Sequence, residues 1–236
     1  MIPQYRVSVT TLEKFRRYMN EVSSWDTEES LIESIKGIFK GNDKTKTGSA
    51  FHKIIEGEYS KVKTGIVAED VFFTSQQAKV ALDYKKRHPL MVHEISIRKT
   101  YHSNFFPIQI SGRIDGAEGL VIRDTKTKYR AVDVQEYLDS CQWKYYLDML
   151  DANIFYYDLF EVQRFEFGTM PGSSLMYLSK EVEFIAHEPL QCLRYEMMVP
   201  DIMKILNEFL DYLHNRNIVH LLKPAIIQDA ELNFLL

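Results

Sequence analysis

Asp115, Asp124 and Lys126 stand within one short stretch, SGRIDGAEGLVIRDTKTK, and their side chains suggest a common chemistry. Two neighbouring carboxylates are costly to bury without a counter-ion, and they suit a divalent cation whose oxygen ligands sit at about 2.0–2.6 Å. An ammonium beside them can orient a water or offset negative charge as it develops. The three residue types therefore point to chemistry at a bound cation, provided the chain folds so that they meet.

The elements on either side supply that condition. Ile108 to Ala117 and Leu120 to Thr127 read as strands, with Glu118-Gly119 as a two-residue turn. That turn sets Ala117 opposite Leu120 and Asp115 opposite Ile122. Asp124 shares the parity of Ile122, which makes it the diagonal neighbour of Asp115 at roughly 7–8 Å. Lys126, two residues on, points to the same face. After a basic connection with Lys128 and Arg130, Asp133 is expected to cap one long helix through Leu150, with Val134, Leu138, Cys141, Tyr145 and Met149 as its core stripe. On that helix Gln142 and Tyr146 lie one turn apart and look back at the hairpin.

Upstream, a basic loop with Lys40, Lys44 and Lys46 leads to Thr47, the expected N-cap of a helix reading GSAFHKIIEGEY. Gly48 and His52 share a face of it, with Glu56 one turn further and Phe51, Ile54 and Ile55 on the packed side. A glycine here removes a side chain beside the histidine and lets another element approach closely. His52 alone reads as a histidine satisfied at the surface or in the core; beside the hairpin it reads as a further ligand. Glu94, in a strand that starts near Met91, reads as an exposed strand position rather than a site residue.

The remaining elements follow from periodicity and punctuation. Thr10 or Thr11 caps a helix over Leu12 to Asn20, and a second amphipathic helix follows Asp26-Thr27 with Leu31, Ile32, Ile35 and Phe39 as its stripe, broken by Gly41-Asn42-Asp43. Residues 74–88 read as a helix ending at Pro89, IFYYDLFEVQRFEFG as one strand or a bent pair, and 175–186 as another strand. From Glu188 the chain reads as helical to His214 with a breaker at Pro200; the last twenty residues are uninformative.

With 236 residues, 45% hydrophobic and 26% charged, the chain fits one globular domain with a substantial core. The net charge of −4 is unevenly spread: residues 1–130 hold 22 Lys and Arg against 16 Asp and Glu, whereas 131–236 hold 7 against 17. Such a split allows a basic face on an acidic protein, although any single lysine is equally well read as solvated surface. No apolar run is long enough to span a bilayer and the N-terminus lacks a signal-peptide core, so no membrane association and a cytoplasmic location are expected. Two cysteines, Cys141 and Cys192, make a disulfide framework unlikely and cannot supply a four-cysteine iron–sulfur cluster.

Taken in order, Gly48-x-x-x-His52, Asp115, Asp124-x-Lys126 and Gln142-x-x-x-Tyr146 resemble the motif set of the RecB-like branch of the PD-(D/E)XK nuclease superfamily. TKTGSAFHKIIE and GLVIRDTKT are similar to its RecE-like, lambda-exonuclease-type members. The resemblance covers about residues 8 to 160 and is to the members without an iron–sulfur cluster. It implies an α/β (α+β) restriction-endonuclease-like core, a central mixed sheet flanked by helices. The expected organisation is a single domain over 1–236, with a motif-bearing core at about 45–186, N-terminal helices at 8–40 and a C-terminal helical segment at 187–236.

The same resemblance implies a Mg²⁺- or Mn²⁺-dependent DNA exonuclease of phage or bacterial recombination and repair. One or two ions would be held by His52, Asp115, Asp124 and the carbonyl of Thr125, with Lys126, Gln142 and Tyr146 completing the catalytic set. Lys44, Lys46, Lys53, Lys128, Arg130 and Lys144, which flank the motifs, are the candidates for phosphate contacts. Linear DNA ends, an annealing-protein or helicase partner and a homo-oligomer are the implied partners. An endonuclease of the same superfamily, or a catalytically silent DNA-binding subunit, are the alternatives.

Overall fold

The computed structural model describes residues 3–226. In chain order its elements are β1 (Tyr5–Ser8), α1 (Val9–Met19), α2 (Glu28–Lys36), α3 (Asp43–Glu56), β2 (Ser60–Val62), β3 (Gly65–Ala68), β4 (Val71–Thr74), α4 (Ser75–Arg87), β5 (Val92–His102), β6 (Pro107–Glu118) and β7 (Val121–Lys128). There follow α5 (Val134–Leu138), α6 (Gln142–Met149), β8 (Ile154–Gln163), β9 (Phe167–Thr169), β10 (Met176–Leu178), β11 (Glu183–Ala186), β12 (Leu190–Leu193), α7 (Met198–Asn215) and β13 (Lys223–Pro224). The main sheet runs β11-β8-β7-β6-β1-β13, with β5 on β6 and β12 also on β8; β2, β3, β4, β10 and β9 form a smaller sheet. β1 is parallel to β6 and β7 to β8, whereas β5 to β7 form an antiparallel meander. This is a mixed sheet flanked by helices, consistent with the restriction-endonuclease-like class expected.

Two apolar clusters form on the two sides of the main sheet. One joins α1, α6 and α7 to Ile108, Ile110, Ile114, Ile122, Phe155 and Tyr157; the other joins α3 and α4 to Phe160, Val162 and the small sheet. Leu12 and Phe15 of α1, and Phe51, Ile54 and Ile55 of α3, are buried as their spacing predicts. Each such side chain contributes roughly 1.5–3 kcal/mol on leaving water. Gly48 performs the expected service, since a Cβ there would sit 2.6 Å from Thr127 Oγ1 on β7.

Several boundaries differ from expectation, each for a local reason. Ser8, not Thr10 or Thr11, caps α1 by accepting from Thr11 N, and α2 ends at the left-handed Gly37, which leaves Phe39 exposed. Asn42 caps α3 through a reciprocal bond with Thr45, so Thr47 lies inside the helix and returns its hydroxyl to Asp43 O. Lys44 and Lys46 are thus helical rather than in a loop. The helix expected from Asp133 to Leu150 is two helices: Asp133 caps α5, the chain breaks at Ser140 and Cys141, and α6 starts at Gln142, with Val134 and Leu138 exposed. The segment after Glu188 first pairs with β8 as β12, and Pro200 sits in the first turn of α7, where it costs no hydrogen bond. The expected strand over 175–186 is likewise two, β10 and β11. The C-terminal helical segment is therefore α7 and a short 3-10 turn over Val219–Leu221; 227–236 lie outside the described residues. Among the described residues no helix is long and apolar enough to cross a membrane.

Candidate functional site

The hairpin of β6 and β7 turns one residue later than expected. Its pairs are Glu118 with Val121, Ala117 with Ile122 and Gly116 with Arg123, so Gly119 and Leu120 form the turn. Gly119 has φ +60°, as the first central residue of a tight hairpin turn requires. Because the register moves by two positions in the pair sum, parity survives. Counting one step on sets Asp115 directly opposite Asp124 rather than diagonal to it.

The β6–β7 ladder ends at Gly116 and Arg123, and beyond it β7 stays with β8 while β6 goes on to pair with β1. Asp115 and Asp124 stand where the two strands part. The β5–β6 pairing skips a position at the same level: Glu94, with φ +56°, lies across from Asp115. Glu94 is half-buried and its carboxylate pairs with Arg113 at 2.9 Å, so it belongs to the site's border rather than to open solvent. Burial pushes its pKa upward.

Asp115, Asp124, Lys126, Gln142 and Tyr146 line one cavity of about 440 Å³. Asp124 is 1% exposed. Its Oδ2 lies 2.5 Å from Lys126 Nζ but outside hydrogen-bonding geometry, and no other donor reaches that atom. Burial pushes the Asp124 carboxyl above the usual carboxylate range; Lys126 opposes this and Asp115 adds to it. Burial works against the Lys126 ammonium, yet the two carboxylates more than offset it and raise its pKa. Gln142 Nε2 donates to Asp124 Oδ1 at 3.4 Å, and the Tyr146 hydroxyl donates to Arg113 O at 3.0 Å. Tyr146 is pushed up to about 12 by burial and by Asp124, which keeps the phenol protonated as a donor.

His52 approaches Asp115 from the α3 side of the sheet. Thr125 donates both its backbone N–H, at 2.8 Å, and its hydroxyl, at 3.2 Å, to Asp115 Oδ2. With its proton so engaged, that hydroxyl accepts from a ring N–H of His52, 3.1 Å away at Nε2. His52 Nδ1 is 3.6 Å from Asp115 Oδ2, and burial lowers the imidazole pKa, favouring the neutral ring. Thus Asp115 is shared: His52 and Thr125 hold it from one side, while its cavity face is turned to Asp124 and Lys126. Among the described residues no three His, Cys, Asp or Glu side chains converge closely enough to hold a metal ion as they stand. His52, Asp115 and Asp124 are therefore neighbours in pairs and not a closed triad. The donor chemistry still fits a hard cation, because two carboxylates, Asp115 and Asp124, line one cavity with the Lys126 ammonium beside them, and oxygen ligands of that kind suit Mg²⁺ or Mn²⁺.

The basic residues expected to meet phosphate are mostly engaged elsewhere. Lys53 pairs with Glu56 and Glu58, Lys128 and Arg130 with Glu136, and Lys144 with Asp201. Lys44 lies 5.4 Å from the Tyr129 ring centroid and Lys46 is half-buried on α3. None of the six lines the cavity; Arg6, Arg98 and Arg113 do. Arg113 was legible as the alternate residue two before Asp115, but Arg6 and Arg98 arrive only through strand pairing.

Gly112 sets the reach of Tyr146. A Cβ there would lie 2.4 Å from the ring's Cε1. Gly112→Ala is expected to displace the ring, lower stability by about 1–3 kcal/mol and reduce any activity of the cavity at least several-fold. A thermal melt equal to wild type would show that the contact is not tight.

No protein-family model matches the chain, and no curated protein matches it in sequence. Among solved structures, that of SSO0001 superposes with a TM-score of 0.50 at 11% identity, covering 90% of this chain and 78% of that one; the likeness is one of fold. A phage related exonuclease from Haemophilus somnus 129PT aligns over 91% of this chain and 97% of that one at 14% identity, with a TM-score of 0.39, too low to carry an argument.

Proposed function

We propose that this chain is a metal-dependent deoxyribonuclease, acting from DNA ends as an exonuclease. The observation that supports the reading is the cavity itself, where two carboxylates, an ammonium, an amide and a phenol meet at the point where β6 and β7 part. That is the donor set a phosphodiester needs for hydrolysis, and it coincides with the motif order of the RecB-like nucleases.

Asp115 and Asp124, with the Thr125 carbonyl, would hold Mg²⁺ or Mn²⁺, which when bound acidifies a water and offsets charge on the phosphate. The chain's own residues set the geometry. Lys126, anchored 2.5 Å from Asp124, positions the attacking water and answers charge growing on the phosphoryl oxygens. Gln142, at the start of α6, holds Asp124 by its amide and keeps that carboxylate turned toward α6. Tyr146 fixes the backbone at Arg113 through its hydroxyl. His52 orients Asp115 through Thr125 rather than meeting the cavity directly.

Incubating the purified chain with end-labelled linear DNA and with a covalently closed circle, in Mg²⁺ or Mn²⁺, tests this. Degradation of the linear form with the circle intact is expected. Nicking of the circle makes it an endonuclease, and no cleavage of either form in either metal overturns the reading.

A further inference from the structure

The cavity extends well beyond the two carboxylates, and its other end is cationic. Along β6, Asp115, Arg113 and Ser111 alternate, so they share a face at steps of roughly 6.8 Å, two residues at about 3.4 Å each. Strand pairing widens this line. Arg98 on β5 and Ser8 on β1 both lie opposite Ser111, and Arg6 lies one alternate position from Ser8. All of these side chains line the cavity that holds Asp115, Asp124 and Lys126.

Four features suit this end to an anion. Arg6 Nε is buried with no hydrogen-bond partner, a donor whose desolvation nothing described offsets. Arg98 is exposed at the cavity wall. The first turn of α1, which is capped by Ser8 and borders the cavity through Thr10, carries no acidic side chain, so its positive end is unopposed. At the middle step the guanidinium of Arg113 already holds a carboxylate, that of Glu94, 2.9 Å away.

We propose that this face is a phosphate track: the strand being cut lies along β6, with non-scissile backbone phosphates on Arg113 and then on Arg98 and Arg6. The inference rests on the nuclease reading and adds where the substrate lies. Guanidinium forks match phosphate oxygens in a way that a lone ammonium does not. It also explains why the lysines flanking the motifs can be spent on ion pairs.

The test is binding of a short fluorescein-labelled DNA duplex with a single-stranded tail, without divalent metal, read by anisotropy across a salt series. Wild type, Arg98→Gln, Arg6→Gln, the double variant and Lys79→Gln as a distant control are compared, with phosphorylated and dephosphorylated ends. Each arginine variant is expected to weaken binding several-fold at low salt and to reduce the slope of log affinity against log salt by about one, irrespective of end chemistry. Should Arg6→Gln fail to fold, the exposed Arg98→Gln carries the same test. If both variants keep the wild-type affinity and slope while wild type still cuts linear DNA, the track is wrong and the nuclease reading stands. A loss confined to phosphorylated ends also overturns it, since it would place only a terminal phosphate there. If wild type neither binds nor cuts DNA, both fall.

Discussion

Lys126→Ala is expected to slow cleavage of linear DNA by about 10²–10³-fold, the usual effect of removing one donor aimed at charge that develops in the transition state. The size follows from where the ammonium sits. It sits beside the buried Asp124 carboxylate in the cavity that Asp115 also lines, and a charge held at the protein surface in this way acts through a lower dielectric than in bulk water. The fold should survive. The group left behind, Asp124, is 1% exposed, but burial already pushes its carboxyl above the usual range and lets it take up a proton instead of staying charged, so the loss lies below the 3–5 kcal/mol typical of stranding a buried charge. Initial rates on end-labelled DNA, paired with a circular-dichroism melt, separate the two effects. A folded Lys126→Ala protein that cuts within tenfold of wild type would remove the lysine from the chemistry and leave the cavity without its expected cation.

The residues of the candidate site were more legible in the sequence than the arginines that border its cavity. Asp115, Asp124 and Lys126 were legible because strand alternation is a local rule: a turn misplaced by one residue at Gly119-Leu120 moved the pair register by two and preserved parity. Gln142 and Tyr146 were legible for the same reason, one turn of helix being local, although the break at Ser140 was not. His52 was found on its helix, but its relation to Asp124 was not. That relation depends on which side of the sheet α3 packs, a tertiary fact set by Gly48 meeting Thr127.

Arg6 shows what sequence reading cannot reach. It pairs opposite Gln109 across a parallel register more than a hundred residues away, and no periodicity in its own neighbourhood marks it. The lysines near the motifs were chosen by proximity in sequence, and the fold gave most of them acidic partners instead. Glu94 is intermediate. Its strand was legible, but its position across from Asp115 depends on a left-handed backbone at a non-glycine residue, which strand propensity does not anticipate.

Asp158→Ala is expected to cost about 3–5 kcal/mol of stability, because it removes the acidic partner of a largely buried cation. Asp158 lies on β8 opposite Thr125 of β7, 3% exposed. It accepts from the Tyr84 hydroxyl at 2.6 Å and from Arg123 Nη1 at 2.9 and 3.0 Å. Burial and the Asp158 charge raise the Tyr84 pKa and keep that hydroxyl a donor. Arg123 has little else: its Nε is buried and unpartnered, Glu118 is 3.8 Å away, and its guanidinium lies 4.6 Å from the Tyr156 ring centroid. Truncation would therefore strand both a charge and a hydroxyl between the sheet and α4. Asp158→Asn keeps an acceptor for Tyr84 and should cost less, and Tyr84→Phe, which removes one donor only, about 1–2 kcal/mol. Urea denaturation of the three variants orders them. An Asp158→Ala protein within 1 kcal/mol of wild type, well under the cost of an uncompensated buried charge, would mean that Arg123 relaxes to solvent. In that case β7, and with it Asp124, is positioned by β6 and β8 pairing rather than by this ion pair.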